Sequence, residues 1–252
     1  MTETHETAKP GLVVVTGGSR GIGAEVCRTL AAFGHPVAVN YAGHKDAAEA
    51  VVDSVTAAGG RARAIAADVS DERQVGALFK EAEAELGPLA GLVNNAGVFG
   101  ETGRLAEQEV GALERLLAVN VLGPLLCCRA AVDRLSDRHG GRGGAIVNIS
   151  SVAARSGGIP GAVAYAATKG AVESLTRGLA NEVAREDIRV NAVAPGLVDT
   201  DMAPPDLDRL AEAGVPMGRP GQPREVAEAV AWLMSPAASY VTGTTVTMSG
   251  GR

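Results

Sequence analysis

The sequence predicts an α/β fold, a doubly wound parallel sheet of about seven strands flanked by helices, and three observations predict it. From Leu12 onward, short β-branched runs alternate with Ala-rich, charge-bearing segments of helical length, the pattern of repeated strand–helix–strand units. Hydrophobic residues make up 46% of the 252-residue chain and aromatics 3%. The core must therefore be built from Ala, Val, Leu and Ile, which suit strands buried on both faces. A glycine-rich turn follows the first apolar run directly.

Taken in order, strands are predicted for LVVVT at Leu12–Thr16, PVAVNY at Pro36–Tyr41, ARAIAAD around Ala62–Asp68 and GLVNNA from Gly91. AIVNIS at Ala145–Ser150, IRVNAVAP from Ile188 and TVTMS from Thr245 complete the set. Between them, residues 21–34, 46–58 and 71–86 place apolar side chains at three- and four-residue intervals with charges opposite, as crossover helices do. Residues 165–184 carry the same periodicity. No repeat, linker or composition shift divides the chain, so residues 11–252 are expected to form one domain. Substrate must then be held by loops at the carboxyl ends of the strands.

From 200 to 223, Pro204, Pro205, Pro216, Pro220 and Pro223 surround a short helical segment at residues 206–213. A stretch of this kind in a compact domain is usually functional, and it is read as a lid over the substrate. Residues 1–10 are polar and read as a disordered tail.

The formal charge of −6 offers no basic stripe to displace counterions from a phosphate backbone, which argues against a nucleic-acid partner. Cys27, Cys127 and Cys128 form neither a zinc spacing nor a disulfide framework, and read as reduced apolar residues. His5, His35, His44 and His139 are too scattered to suggest a metal site. Residues 1–10 lack the apolar middle of a signal peptide, and no later run is read as approaching the ~20 apolar residues of a membrane span. A cytoplasmic protein is expected.

The turn reads Thr16-Gly17-Gly18-Ser19-Arg20-Gly21-Ile22-Gly23, between a strand and a helix. Helix N-terminal N–H groups and the positive end of the dipole favour a pyrophosphate there, while glycines allow close approach. Gly17, Ser19, Arg20, Gly21, Ile22 and Gly23 are the expected contacts of a Rossmann-type dinucleotide site, although the spacing departs from G-x-G-x-x-G. An NAD site places a ribose-reading acid ~20 residues on. Here the second strand ends in Asn40, Tyr41 and Ala42, with no acid before Asp46. Arg20 could instead meet a 2′-phosphate through its planar fork. NADP(H) is expected in preference to NAD(H).

Tyr165 and Lys169 stand four residues apart, hence on one face of a helix. A free phenol has a pKa of ~10, and a neighbouring cation stabilises the phenolate. Lys169 would so make Tyr165 a usable general acid and base. The fifth strand ends in Ser150-Ser151, where an open α/β sheet presents reactive groups.

With those residues in place, the chain resembles the short-chain dehydrogenase/reductase family from about Leu12 to Gly251. The landmarks are TGGSRGIG at Thr16–Gly23, Asp68-Val69, NNAG at Asn94–Gly97, Asn120, Ser150-Ser151, YAATK at Tyr165–Lys169, and Pro195-Gly196 leading into Thr200. The resemblance implies that Asp68 and Val69 flank the adenine, and that Asn94, Ala96 and Gly97 line the cofactor near ribose and nicotinamide. It implies that Asn120 anchors a water relaying protons to Lys169, and that Lys169 also holds the nicotinamide ribose. Pro195, Gly196, Thr200 and the backbone near Val198 would receive the nicotinamide amide or the phosphates. Ser151 is chosen over Ser150, although it lies one residue further from Tyr165 than the family spacing, across a loop holding Gly157, Gly158 and Gly161. The ending MSGGR lacks the acid that many relatives carry before the two glycines.

The resulting expectation is hydride transfer between NADP(H) and a small ketone, sugar-like polyol or 3-oxoacyl thioester. Val152, Val163, Phe99, Leu197, Met202 and Met217 would form the apolar side of the pocket. Arg134, Arg138 and Arg142 could meet an acidic carrier protein. A catalytically silent, dinucleotide-sensing regulator is the alternative; chain length disfavours a sugar-nucleotide epimerase. The resemblance also implies a homotetramer, with the helices of Asn120 and Tyr165 and the last strand at its interfaces.

Overall fold

In the computed structural model, which describes residues 10–252, the predicted strands form one sheet in the order β3-β2-β1-β4-β5-β6-β7. They are β1 (Leu12–Val15), β2 (Val37–Tyr41), β3 (Ala62–Ala66), β4 (Leu89–Asn94), β5 (Gly144–Ile149), β6 (Ile188–Pro195) and β7 (Thr245–Met248). All neighbours pair in parallel. The tail expected at residues 1–10 lies outside the described residues except for Pro10. The chain winds outward from β1 to β3, then returns to β4 beside β1 and winds the other way. A crevice opens where the order reverses, at the carboxyl ends of β1 and β4.

The helices are α1 (Gly21–Ala32), α2 (Lys45–Ala57), α3 (Glu72–Leu86), α4 (Val110–Leu117), α5 (Gly123–Leu135), α6 (Ala153–Ser156), α7 (Val163–Val183), α8 (Leu207–Gly214) and α9 (Pro223–Met234). β1 shows how they divide. All four of its side chains are fully buried, and the two-residue period sends Val13 and Val15 into one core, Leu12 and Val14 into the other. The first core lies under α1, α2 and α9, the second under α3, α5 and α7. A central strand covered on both faces reads as an unbroken apolar run for this reason.

Helix ends follow local chemistry. Asp71 caps α3 by accepting from the N–H groups of Arg73 and Gln74. α9 starts with Pro223 at its first turn and a reciprocal box between Gln222 and Glu225, a signal that the proline-rich context obscured in the sequence. Residues 200–223 are also more ordered than a loop reading suggests. α8 buries Leu207 and Ala211, and Val198 pairs with Gly221 in an isolated bridge.

One expectation is corrected. α4, a π-helical stretch at Ala118–Leu122 and α5 form a continuous helical run, Val110–Leu135, that is long and apolar enough to cross a membrane by length and composition. Part of it serves packing: Cys127, Cys128, Ala131 and Leu135 are buried in the second core, while Val110, Leu117, Leu122 and Leu125 are exposed. All three cysteines are free and buried, and burial pushes their thiols upward, Cys128 to about 12. This places them among inert core residues.

Candidate active site

The glycine turn is held from two sides. From β4, Asn95 donates its side-chain amide to the carbonyls of Thr16 (3.0 Å) and Gly17 (2.9 Å), while the Thr16 hydroxyl accepts from the N–H groups of Asn95 and Ala96. From β2, Asn40 Oδ1 accepts from Gly17 N at 3.2 Å and the Asn40 carbonyl accepts from Gly18 N at 2.8 Å. Gly17 and Gly21 take φ of +60° and +53°, which favours glycine. A Cβ on Gly23 would lie 2.2 Å from the Gly17 carbonyl oxygen. The turn therefore admits no side chain at Gly23.

α1 begins at Gly21 with no side chain capping it, so its N-terminal N–H groups and dipole offer an anion site. Ser19 is buried, Ile22 packs against the first core and Arg20 is exposed. The loop after β6 closes over this end: Thr200 Cγ2 stands 3.4 Å from where a Cβ on Gly21 would lie. These residues fit a dinucleotide pyrophosphate, because the cradle is backbone and the glycines keep it open. Thr16 and Asn95 build that cradle and were missed as site residues; the second Asn of NNAG was the available signal.

Three expected cofactor contacts have inward side chains. Asn40 is buried, and its amide also donates to the carbonyls of Ile65 (3.3 Å) and Ala67 (3.0 Å), so it braces the strand ends and does not face a ribose. Asn94 is buried in register with Asn148 and donates to Asn148 Oδ1 at 2.9 Å and Cys128 Sγ at 3.2 Å. Val69 is buried against Gly123 at the head of α5. A polar residue ending a strand can point into the core as well as across the crevice, and the period of two decides which. Asp68 remains accessible, as do Tyr41 and Ala42. Burial pushes the Asp68 carboxyl up, but Ser70 and Arg115 outweigh it and hold it below the usual range. Arg115 pairs with Asp68 Oδ2 at 3.0 Å.

On the other side of the crevice, the π-helical stretch places Asn120 inward. Its amide donates to the Val98 carbonyl at 2.8 Å and to Thr168 Oγ1 at 3.1 Å, and its oxygen accepts from Val98 N at 2.9 Å. π-turns of this kind recur at functional sites. Gly97 sits beside it, its notional Cβ 3.4 Å from Asn120 Oδ1 and 3.7 Å from Lys169 Nζ.

α7 carries Tyr165 and Lys169 one turn apart. Lys169 is buried, donates to the Ile149 carbonyl at 2.9 Å and lies 5.6 Å from the centre of the Tyr165 ring. Burial draws its ammonium down to about 8. Tyr165 stacks at 34° on Phe99 with ring centres 4.7 Å apart. Burial raises its phenol, and the group that draws it back is the Ser151 hydroxyl. Desolvation is thus the larger influence on the phenol. Ser151 Oγ also accepts from Ala153 N at 3.1 Å, whereas Ser150 is buried against α7. Ser151 is thus the serine on the phenol's side.

Of the expected apolar pocket residues, Phe99 contacts the Tyr165 ring, Val152 and Leu197 are half-buried, and Val163, Met202 and Met217 are exposed. Pro195 accepts from Val152 N at 3.0 Å and Gly196 donates to the Met248 carbonyl at 2.9 Å, joining the β5, β6 and β7 ends. The three arginines read as a carrier-protein patch are largely engaged. Arg134 pairs with Glu83 and covers the Phe79 ring at 5.3 Å, and Arg138 pairs with Glu186.

The chain is similar to known proteins over nearly its whole length. The family profile described as enoyl-(acyl carrier protein) reductase matches residues 17–252. The chain is 47% identical over 246 residues to the uncharacterized oxidoreductase YgfF of Escherichia coli, covering 96% of this chain and 99% of that one. The 3-oxoacyl-(acyl-carrier-protein) reductase FabG of Staphylococcus aureus is 42% identical over 243 residues, 94% of this chain and 96% of its own. A short-chain dehydrogenase from Burkholderia cenocepacia, solved in complex with NADP, superposes with a TM-score of 0.87 at 37% identity, covering 95% of this chain and 96% of its own. By this match over nearly its whole length, the chain belongs to the short-chain dehydrogenase/reductase family of oxidoreductases.

Proposed function

We propose that the protein is an NADP(H)-dependent reductase or dehydrogenase of a small carbonyl or alcohol, with Tyr165 as its general acid and base. The observation that carries this reading is that the Ser151 hydroxyl acts on the Tyr165 phenol beside the buried Lys169 ammonium, across the crevice from the glycine cradle. Nicotinamide, when bound, supplies or accepts the hydride. Ser151 holds the substrate oxygen against Tyr165, and the phenol gives that oxygen its proton in reduction and takes it back in oxidation. The raised phenol keeps its proton at neutral pH, which favours the donor role. Lys169 replenishes the proton, and Asn120, bonded to Val98 and Thr168, fixes the path from solvent.

Arg20, exposed in the turn, with no acid at the end of β2, supports a 2′-phosphate over a bare ribose. The NADP complex of the Burkholderia cenocepacia relative and the name of the Staphylococcus aureus relative support the same choice. Among substrates, the latter name favours a 3-oxoacyl thioester, and residues 200–223 act as the lid over it. The active form is a homotetramer in the cytoplasm, its helices of Asn120 and Tyr165 at the contacts.

The test is a panel of acetoacetyl coenzyme A, cyclohexanone and glyceraldehyde, followed by nicotinamide absorbance with NADPH and with NADH. Tyr165→Phe should lower turnover by about 10²–10⁴-fold with cofactor binding intact, and unchanged turnover removes Tyr165 from the mechanism. A lower KM for NADH than for NADPH overturns the cofactor assignment, and a monomer on sizing overturns the tetramer.

A further inference from the structure

We propose that Glu173 and Arg155 are positioning residues whose ion pair sets Ser151 against Tyr165; the inference rests on the catalytic roles proposed above. Glu173 follows Lys169 by one turn of α7, and its side chain is only 7% exposed. A carboxylate out of water is costly unless it is compensated, so its partners define what holds it. Ser150 Oγ donates toward Oε1 at 3.4 Å, Arg155 Nε toward Oε2 at 3.4 Å, and Arg177 Nη1 lies 3.7 Å from Oε2.

Those partners connect the two halves of the chemistry. Arg155 belongs to α6, a single turn of four residues that begins two positions after Ser151. One turn cannot hold itself in place. Arg155 ties it to α7 through Glu173 and to β7 through Thr247 Oγ1 at 3.4 Å. Ser151 Oγ in turn accepts from the α6 residue Ala153. Ser150, sharing its hydroxyl hydrogen between Glu173 and the Lys169 carbonyl at 3.3 Å, fixes the end of β5 to the helix turn that carries Lys169. The pair of buried carboxylate and exposed guanidinium thus joins the segment bearing the serine to the helix bearing the tyrosine and lysine, and neither member is among the groups assigned above to substrate or cofactor.

The experiment compares Glu173→Gln, Arg155→Met, the double variant and Arg155→Lys, using NADPH and the fastest carbonyl of the panel. Turnover should fall about tenfold in either single loss variant, since sub-ångström misplacement carries penalties of that order. NADPH affinity, read by fluorescence titration, should not change. The double variant should be no worse than either single one, as expected of groups acting as a unit, and Arg155→Lys should recover most of the rate. Turnover within about twofold of wild type in both single variants, or equal losses in turnover and NADPH affinity, overturns the proposal. If Glu173→Gln does not fold, the contrast between Arg155→Met and Arg155→Lys, at a largely exposed side chain, decides alone. Active Tyr165→Phe would sink the catalytic reading instead, and inactive Tyr165→Phe beside fully active pair variants would sink only the positioning role.

Discussion

The two walls of the crevice are made differently. On the β1–β2 side the functional surface is backbone: a glycine turn, an uncapped helix start and amide side chains that brace it from behind. On the β5–β6 side it is side chains, a hydroxyl together with a phenol and an ammonium whose proton affinities burial has moved. The first wall works by shape and tolerates almost no added atom. The second works by charge and carries a stability cost for each buried ionisable group. Substitution should therefore separate the two walls cleanly.

The largest effect is expected at Gly23. Gly23→Ala puts a methyl 2.2 Å from the Gly17 oxygen, and NADPH affinity should fall by about 100-fold or more as the turn is forced open. Near-wild-type affinity in a fluorescence titration would show that the cradle yields, contrary to the shape argument. On the charged wall, Lys169→Met should cost turnover about 100-fold while raising stability. The folded ammonium sits near 8 against 10.5 for an ordinary lysine. Below about pH 8 both states carry the proton and the burial penalty is complete. It fades as pH rises toward 10.5, because the folded chain has shed a proton that the unfolded chain keeps. Removing the charge should gain about 2 kcal/mol or less at neutral pH, a rise in Tm of about 2–8 °C, with the gain shrinking above pH 8. A Tm lowered at pH 7 and unchanged at pH 9.5 would contradict the penalty.

A smaller effect sharpens the division. Asn40→Asp places a carboxylate against the Ile65 and Ala67 carbonyls, which now receive an amide, and should destabilise the fold by about 3 kcal/mol. Were Asn40 a ribose reader, the same change would leave Tm alone and shift preference toward NADH. Calorimetry beside the two cofactor KM values distinguishes the outcomes.

The sheet was legible in the sequence because each strand is a short β-branched run between turn residues, and burial on both faces leaves that run unbroken. α5 was less so: as a core helix it is apolar on more than one side, which blurs periodicity. The spacing of Tyr165 and Lys169 announced a shared helix face, but the sign of the phenol's shift depends on burial, which spacing does not encode. Asn40 was read as a crevice residue because it ends its strand, and Asn94 because the family resemblance implied it; the direction of each side chain depends on pairing across the sheet. The π-turn at Asn120 leaves no compositional mark at all.

The tie at the base of α8 has a consequence for how this protein can change. Asp199 N donates to the Gly221 carbonyl and Gly221 N to the Leu197 carbonyl, each at 2.9 Å, so the intervening segment leaves and re-enters the body at one closed gate. The entropy of closing a loop grows only slowly with its length. A change in the length of that segment therefore leaves its two anchor points where they are, and the ends of β6 and α9 keep their spacing.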